Sequence, residues 1–204
     1  MSADTTHLLP DGLEPAWDVA RLFPPQGTWS EEEYLRLPGN HLTEFDNGRI
    51  EVLVMPSQLH QLVVAHLYRS LLQHVGPQGG TVLFAPFPVK LWAGKIREPD
   101  LCFMRREHDA RRHELHWDGA DLVMEVVSPD DPRRDRETKR REYAQAGIPE
   151  YWLVDPAAAS LTILVLDGTT STYAVAGVYR AGEVARSATI TGFEVDVGAT
   201  LSVR

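Results

Sequence analysis

Apolar and polar residues are distributed along this chain in two patterns, one typical of helices and one typical of strands. A period near 3.6 residues predicts a long helix that begins after Pro56-Ser57 and ends at Gly76-Pro77. Its apolar positions are Leu59, Leu62, Val63, Leu67, Leu71 and Val75. The run 122–127 is apolar at every position except Glu125, which predicts a central strand with helices on both of its faces.

Turn and capping signals divide the N-terminal half of the chain. Ser30 and Glu33 form a capping-box pattern, which predicts a short helix that ends before Pro38. The sequence Asp46-Asn47-Gly48 is a hairpin turn signal, and it predicts a following strand over 50–55.

A second long helix is predicted in the C-terminal half, with Pro132 as its first residue and Gly147 just past its end. Residues 95–99 are predicted to form a turn, and the charged segment 105–119 a loop. Further extended segments are predicted at 81–92, 101–104, 151–154, 161–166 and 172–176, with one or two short strands within 177–204.

Together these elements predict an α/β fold in which a central mixed β-sheet is flanked by helices. A chain of 204 residues, 43 % hydrophobic and 24 % charged, can build one domain with a sizeable core. We expect that domain to cover residues 29–204. Residues 1–28 are rich in proline, glycine and acidic residues, and we expect them to form a loosely ordered arm.

Composition and charge exclude several classes of protein. The chain has no run of about 18 apolar residues, so no membrane-spanning helix is expected. The first residues lack the features of a signal peptide, and the single cysteine, Cys102, excludes an internal disulfide, so a cytoplasmic protein is expected. The net charge of −9 counts against nonspecific coating of nucleic acid, although 133–142 supplies a basic cluster that can contact phosphates.

Two carboxylates are the strongest candidates for chemistry. Glu125 lies within the most apolar run of the chain, where an unpaired charge costs several kcal/mol, roughly speaking. Asp100 follows Pro99 at the start of the strand predicted over 101–104. Carboxylates from two neighbouring strands can hold one Mg²⁺ or Mn²⁺, because such hard cations prefer oxygen ligands. The alternative is structural: Asp100 caps a turn and Glu125 pairs with an arginine.

Lys139 completes the set needed for metal-assisted cleavage of a phosphodiester. It lies four residues after Asp135 and four before Tyr143 in the second predicted helix. Spacing alone equally fits a lysine on a solvated helix face. His60 lies on the apolar face of the first long helix, where a lone histidine is most often a core residue.

The chain resembles the Uma2 family, described as endonucleases with the restriction-endonuclease-like fold of the broad PD-(D/E)xK group. The resemblance covers roughly residues 28–200, and its most specific part is 121–156. The matching positions are Glu44, Asp46-Asn47-Gly48, His60, Pro99-Asp100, the block 121–129, Asp135, Lys139, Tyr143 and the block 147–156.

The resemblance implies a role for each candidate. Asp100 and Glu125 would be the metal ligands and Lys139 the catalytic lysine that positions the attacking water. Glu44 would be a further acidic group near the site, with His60 and Tyr143 in support. The chain departs from the (D/E)xK spacing, because Val127 and not a lysine follows Glu125 by two residues.

Three functions follow as hypotheses. The first is a Mg²⁺- or Mn²⁺-dependent DNA endonuclease, with DNA as its substrate and a homodimer as its expected assembly. The second is a non-catalytic module of nuclease fold that binds DNA or a protein partner. The third is a hydrolase of small phosphate esters. Divalent-metal affinity would separate the second from the first, and turnover of a chromogenic phosphodiester would separate the third.

Overall fold

The computed structural model describes residues 24–37 and 42–203. Its helices are α1 (Glu31–Leu35), α2 (Gln58–Val75), α3 (Arg140–Gln145) and α4 (Val197–Leu201), with 3₁₀ turns at Gly76–Gln78 and Arg106–Arg111 and a π-helical segment at Arg134–Lys139. Its strands are β1 (Thr43–Asp46), β2 (Arg49–Val52), β3 (Thr81–Phe84), β4 (Val89–Trp92), β5 (Lys95–Arg97), β6 (Leu101–Met104), β7 (Trp117–Asp118), β8 (Leu122–Val126), β9 (Glu150–Asp155), β10 (Ser160–Asp167), β11 (Thr172–Arg180), β12 (Val184–Arg186) and β13 (Glu194–Asp196).

A six-stranded mixed sheet forms the centre of the molecule, in the order β11-β10-β9-β8-β6-β3. Strand β8 lies inside it, parallel to β9 and antiparallel to β6. All five residues of β8 are buried, which confirms the central strand predicted from its continuous apolar run.

Helices cover both faces of this sheet. On one face Leu67 and Leu71 of α2 pack in the same core cluster as Met124 and Trp152. On the other face Tyr143 of α3 packs in a second cluster that also contains Val123 and Tyr151. Each fully buried large apolar side chain contributes roughly 1.5–3 kcal/mol relative to exposure. The predicted α/β fold with a helix-flanked mixed sheet is confirmed.

A second sheet, with five strands in the order β2-β1-β5-β4-β7, lies beside the first, and β12 and β13 form a separate hairpin. The predicted single sheet is therefore divided. The extended segment 81–92 contributes β3 to the first sheet and β4 to the second, with a bend at the cis Ala85–Pro86 peptide. The turn predicted at 95–99 is wrong, because Lys95–Arg97 is a buried strand paired with both β1 and β4.

Turn and capping predictions are confirmed where residue chemistry dictates them. Ser30 and Glu33 make both bonds of a capping box at α1. Asn47 and Gly48 adopt left-handed φ values of 48° and 79° between β1 and β2, as a tight hairpin requires. Gly147 ends the second helical region with φ 76°.

The second helical region differs from a regular α-helix. Residues Arg134–Lys139 form a π-helical segment, and regular α-helix follows only at Arg140–Gln145. The segment 105–119, predicted as a loop, contains a 3₁₀ turn and the short edge strand β7, and α4 near the C-terminus was not predicted. The predicted arm at 1–28 falls largely outside the described residues, so the boundary at 28/29 stays a prediction.

Within residues 24–37 and 42–203, no helix combines the length and apolar character needed to cross a lipid bilayer.

Candidate active site

Strand register brings the two predicted metal ligands together. Leu101 of β6 pairs with Met124 of β8 in the antiparallel ladder, so Asp100 lies opposite Glu125 one position further along. The backbone N–H of Val126 donates to Asp100 Oδ2 at 2.7 Å, and the N–H of Asp100 lies 3.4 Å from Glu125 Oε2. The two carboxylates are thus fixed side by side by the sheet itself.

Lys139 lies against these carboxylates and not on the surface. Its Nζ is 2.9 Å from Glu125 Oε1, 3.4 Å from Asp135 Oδ1 and 3.5 Å from Glu44 Oε1. The residue is 5 % exposed, so the alternative of a solvated helix-face lysine is wrong. Burial lowers the pKa of Lys139, but the surrounding carboxylates, Glu125 foremost, outweigh it and raise the pKa, so the ammonium stays charged.

The π-helical segment explains how three residues spaced by four reach one site. In a regular α-helix, a step of four residues overshoots a full turn, because a turn contains 3.6 residues. A π-helical turn is wider, because its hydrogen bond closes five residues on, so a step of four residues there stops short of a full turn. Asp135 to Lys139 spans the π segment and Lys139 to Tyr143 spans α3, so the two deviations oppose each other. All three side chains are buried on the site side.

Tyr143 supports the central glutamate directly. Its hydroxyl donates a 2.6 Å hydrogen bond to Glu125 Oε1, the same oxygen that contacts Lys139. Burial raises the pKa of Tyr143 well above its usual value, and the charge of Glu125 raises it further, so the hydroxyl keeps its proton. Tyr143 therefore acts as a fixed donor that holds the carboxylate of Glu125.

Glu44 reaches the site from β1, as predicted from the resemblance, and is fully buried. Arg97 Nη1 donates to its Oε2 at 2.8 Å, and Arg134 donates to the same oxygen. Burial alone would raise the pKa of Glu44, but Lys139, Arg97 and Arg134 outweigh it and lower the pKa to about 2. Glu44 is therefore an ionised anchor for the lysine and both arginines.

His60 contacts the other carboxylate. Its Nε2 lies 3.0 Å from Asp100 Oδ2, and its Nδ1 is buried without a hydrogen-bond partner among the described residues. Burial lowers the pKa of His60, but the hydrogen bond and charge of Asp100 prevail and raise it. His60 is thus a neighbour of the site that orients Asp100, not a self-contained core histidine.

Glu98 is a site residue that the sequence reasoning missed. It lies directly before Pro99-Asp100, so its position next to that motif was the available signal. Its Oε1 accepts a 3.2 Å bond from Tyr34, whereas its Oε2 is buried with no partner in the described part of the chain. Burial raises the pKa of Glu98 to about 7.

Four carboxylates gather around Lys139 at the centre of the site. Glu44, Asp135 and Glu125 lie within 3.5 Å of Lys139 Nζ, and Asp100 adjoins Glu125. Burial raises the pKa of Glu125 to about 8, with Lys139 opposing this rise and the charges of Asp100 and Asp135 adding to it. Neighbouring carboxylates offer the oxygen ligands that a hard divalent cation such as Mg²⁺ or Mn²⁺ prefers. Asp100 and Glu125 are the residues placed to hold it.

The site opens into a cleft of about 740 Å³. Glu98, Asp100, Glu125 and Lys139 line it together with apolar side chains from the segment 52–59. Val52 and Met55 on this rim are largely exposed. The cleft thus offers a charged floor and an apolar edge to a bound molecule.

Most arginines of the basic cluster predicted at 133–142 form ion pairs with carboxylates of the same chain. Arg134 contacts Glu44 and Glu51, and Arg136 contacts Asp155. Arg133 pairs with Glu137 at 3.2 Å on the surface. The role of this cluster in phosphate contact therefore stays a prediction, because a nucleic acid would have to compete with these carboxylates.

Comparison with known proteins gives consistent results. The sequence pattern of the Uma2 family, described as "Putative restriction endonuclease", matches residues 31–200. A solved structure from Anabaena variabilis ATCC 29413, titled a "putative nuclease belonging to DUF820", superposes with a TM-score of 0.71 at 15 % identity, covering 85 % of this chain and 98 % of that one. No curated protein sequence matches the chain.

Proposed function

This chain belongs to the Uma2 family, and on that premise we propose that it is a Mg²⁺- or Mn²⁺-dependent endonuclease that hydrolyses phosphodiester bonds of DNA at the cleft around Glu125. One observation carries the proposal. Asp100 and Glu125 lie opposite each other in adjacent strands, with Lys139 Nζ 2.9 Å from Glu125. Two carboxylates and a lysine in one cleft are the groups that metal-assisted hydrolysis requires.

Each residue of the chain has a stated role in this proposal. Asp100 and Glu125 would hold the cation, whose chemistry there would be to activate water and to neutralise charge at the scissile phosphate. Lys139 keeps its proton and supplies a fixed positive charge beside the reacting groups. Tyr143 holds Glu125 at its Oε1. Glu44 holds the lysine in place without competing for the cation, since its Oε2 is taken by two arginines.

The test is a plasmid-nicking assay on protein stripped with EDTA and then supplied with Mg²⁺ or Mn²⁺. Variants Glu125→Gln and Lys139→Met are compared with wild type. The matched control is Glu137→Gln, which removes an exposed carboxylate from the same helical region. Since loss of one electrostatic group at a reacting centre costs about 10²–10³-fold in rate, both site variants are expected to lose at least about 100-fold.

Glu137→Gln should cut like wild type. Nicking by Glu125→Gln at the wild-type rate, in a preparation free of contaminating nuclease, would overturn the proposal. No cleavage by any protein, together with Mn²⁺ binding that does not depend on Asp100, would support the non-catalytic module instead.

A second candidate, a hydrolase of small phosphate esters, is favoured by the size of the cleft. A volume of about 740 Å³ lies within the roughly 300–1,000 Å³ range of small-molecule sites. The internal pairing of Arg134 and Arg136 also leaves less free positive charge for a nucleic-acid backbone. Turnover of a chromogenic phosphodiester with no cleavage of single- or double-stranded DNA would select this candidate.

We further propose that the chain acts as a homodimer, because two-fold pairing gives a duplex-cutting enzyme one site for each strand. Light scattering at micromolar concentration tests it. A dimer mass is expected, and a monomer mass in the presence and absence of DNA would contradict the proposal.

A further inference from the structure

A small hairpin on the far edge of the second sheet presents two histidines and an aspartate. Arg112 and Trp117 form an antiparallel bridge, and the N–H of His113 donates to the carbonyl of His116 at 2.9 Å. This closes a four-residue turn over 113–116, so its first and last side chains lie near each other. The rings of His113 and His116 are 4.8 Å apart between centroids.

Strand alternation places the third group beside them. Side chains two residues apart in a strand point to the same face, so Asp118 shares a face with His116 while Trp117 points into the core. Asp118 Oδ2 lies 2.9 Å from His113 Nε2, and its Oδ1 lies 3.4 Å from His116 Nε2. One ligand atom from each of the three residues lies within 4.8 Å of the others.

The surrounding backbone holds this arrangement in place. Asp118 pairs with Lys90 in the parallel ladder between β7 and β4, and the N–H of Gly119 donates to the carbonyl of Lys90 at 2.9 Å. The Lys90 ammonium forms a 2.6 Å ion pair with Glu31, and this carboxylate offsets part of the positive charge that Lys90 places beside His116 and Asp118. His116 Nδ1 is buried with no hydrogen-bond partner among the described residues.

We propose that His113, His116 and Asp118 form a second metal site, which binds a transition-metal dication, with Zn²⁺ as the expected ion. Two imidazoles and one carboxylate suit Zn²⁺, Cu²⁺ or Ni²⁺, whereas Mg²⁺ and Ca²⁺ favour oxygen ligands alone. None of the three residues lines the cleft that contains Glu125. The bound ion ties the 113–116 turn to β7, a two-residue strand at the edge of its sheet.

The test measures Zn²⁺ binding by isothermal titration calorimetry on chelator-treated protein, with Co²⁺ visible absorption as a second readout. His113→Ala and His116→Ala remove one ligand each. His108→Ala is the matched control, since His108 is a histidine of the same loop that pairs with Asp121 instead. Glu125→Gln removes the carboxylate at the centre of the cleft, so it identifies any Zn²⁺ held there.

Wild type and His108→Ala should bind Zn²⁺ with the same affinity at this second site. On the Glu125→Gln background, which removes Zn²⁺ held in the cleft, one Zn²⁺ equivalent should remain, and Co²⁺ should give d–d bands. Loss of even an outer-shell partner of a metal site costs about 10- to 100-fold in affinity, so each ligand variant should bind at least about tenfold more weakly. The proposal is overturned if wild type binds no Zn²⁺, or if binding survives both ligand variants but is lost in Glu125→Gln. Neither readout depends on cleavage of DNA.

Discussion

Two buried glutamates in adjacent strands of the central sheet have opposite surroundings. Glu125 lies near the carboxyl end of β8, and Glu150 begins the parallel strand β9 beside it. Glu125 shares its environment with Lys139, one tyrosine hydroxyl and the carboxylates of Asp100 and Asp135. The surroundings of Glu150 contain only neutral hydrogen-bond donors among the contacts described.

Glu150 has a structural role, because it anchors the segment 187–189. Its Oε1 accepts from the indole N–H of Trp152 at 2.5 Å and from the N–H of Ala188 at 3.3 Å. Its Oε2 accepts from the hydroxyl of Ser187 and from both the N–H and the hydroxyl of Thr189. These bonds tie the segment 187–189 to the sheet and use both oxygens fully.

The comparison shows that burial of a carboxylate within a strand does not by itself mark a catalytic site. The partners decide its role. Donors converge on Glu150 and leave no free lone pair for a ligand, whereas Glu125 has acidic neighbours whose charge a cation would balance. Both residues have the same appearance in the sequence, an acid in an otherwise apolar segment.

The largest expected effect comes from replacing glutamate with glutamine at each of the two positions and comparing the stability of the variants. Glu150→Gln should lower the free energy of unfolding by on the order of 4 kcal/mol, because the amide group faces donors and several charge-assisted bonds are lost. Glu125→Gln should leave stability within about 1 kcal/mol of wild type, because burial already favours the neutral form of this side chain, and relief from burying its charge offsets the lost ion pair with Lys139. Urea unfolding of metal-free protein measures both.

Equal losses of stability in the two variants would mean that Glu150 and Glu125 have the same structural role. Glu194→Gln, at an exposed carboxylate of β13, serves as the control and should match wild type.

Glu98 provides an intermediate case, with one oxygen bonded and one buried without a partner among the described residues. Burial raises its pKa from 4.5 to about 7, so the folded protein holds the proton that the unfolded chain releases. Its contribution to stability is present below pH 4.5 and is lost as the pH rises through about 7. Glu98→Gln should therefore gain up to about 3 kcal/mol relative to wild type above this window.

The measurement is urea unfolding of wild type and Glu98→Gln on both sides of the window. A constant difference between the two proteins at all pH values would show that Glu98 does not titrate there.

Tyr143→Phe is expected to have the smallest effect. It removes the 2.6 Å hydrogen bond to Glu125 and should cost about 1 kcal/mol in stability. Because the hydroxyl lowers the pKa of Glu125, its loss should raise that pKa further and move the acidic limb of the cleavage pH–rate profile upward. An unchanged profile with lowered stability would make Tyr143 a packing residue only.

Much of the geometry of the candidate site could be predicted from the sequence, for reasons that differ between residues. Asp100 and Glu125 could be identified because Asp100 directly precedes an apolar strand and Glu125 lies within one, and Glu44 and Lys139 because the family pattern places them. The strand at Lys95–Arg97 could not be predicted from the sequence, because Lys95 and Arg97 are charged and are buried only through ion pairs with Glu142 and other acids. The pattern of apolar residues gives no information about ion pairs between charged residues.

The structural role of Glu150 and the partner of Glu98 could not be predicted from the sequence for a related reason. Both depend on contacts between segments far apart in the chain, residues 187–189 for Glu150 and Tyr34 for Glu98. The helical periodicity also could not reveal the π-helical segment, because a widened turn changes the hydrogen-bond partners and not the residue types. Local patterns therefore predicted which elements form, and long-range polar contacts determined what their charged residues do.

The π-helical segment Arg134–Lys139 also determines how this chain tolerates changes in length. A widened turn is equivalent to an α-helix that has gained one residue, so deletion of a single residue there would restore regular backbone hydrogen bonding. The same deletion would rotate Asp135 away from the line of Lys139 and Tyr143. Deletion of Arg136 or Thr138 would therefore give a shorter, more regular helix at the cost of the arrangement of the site.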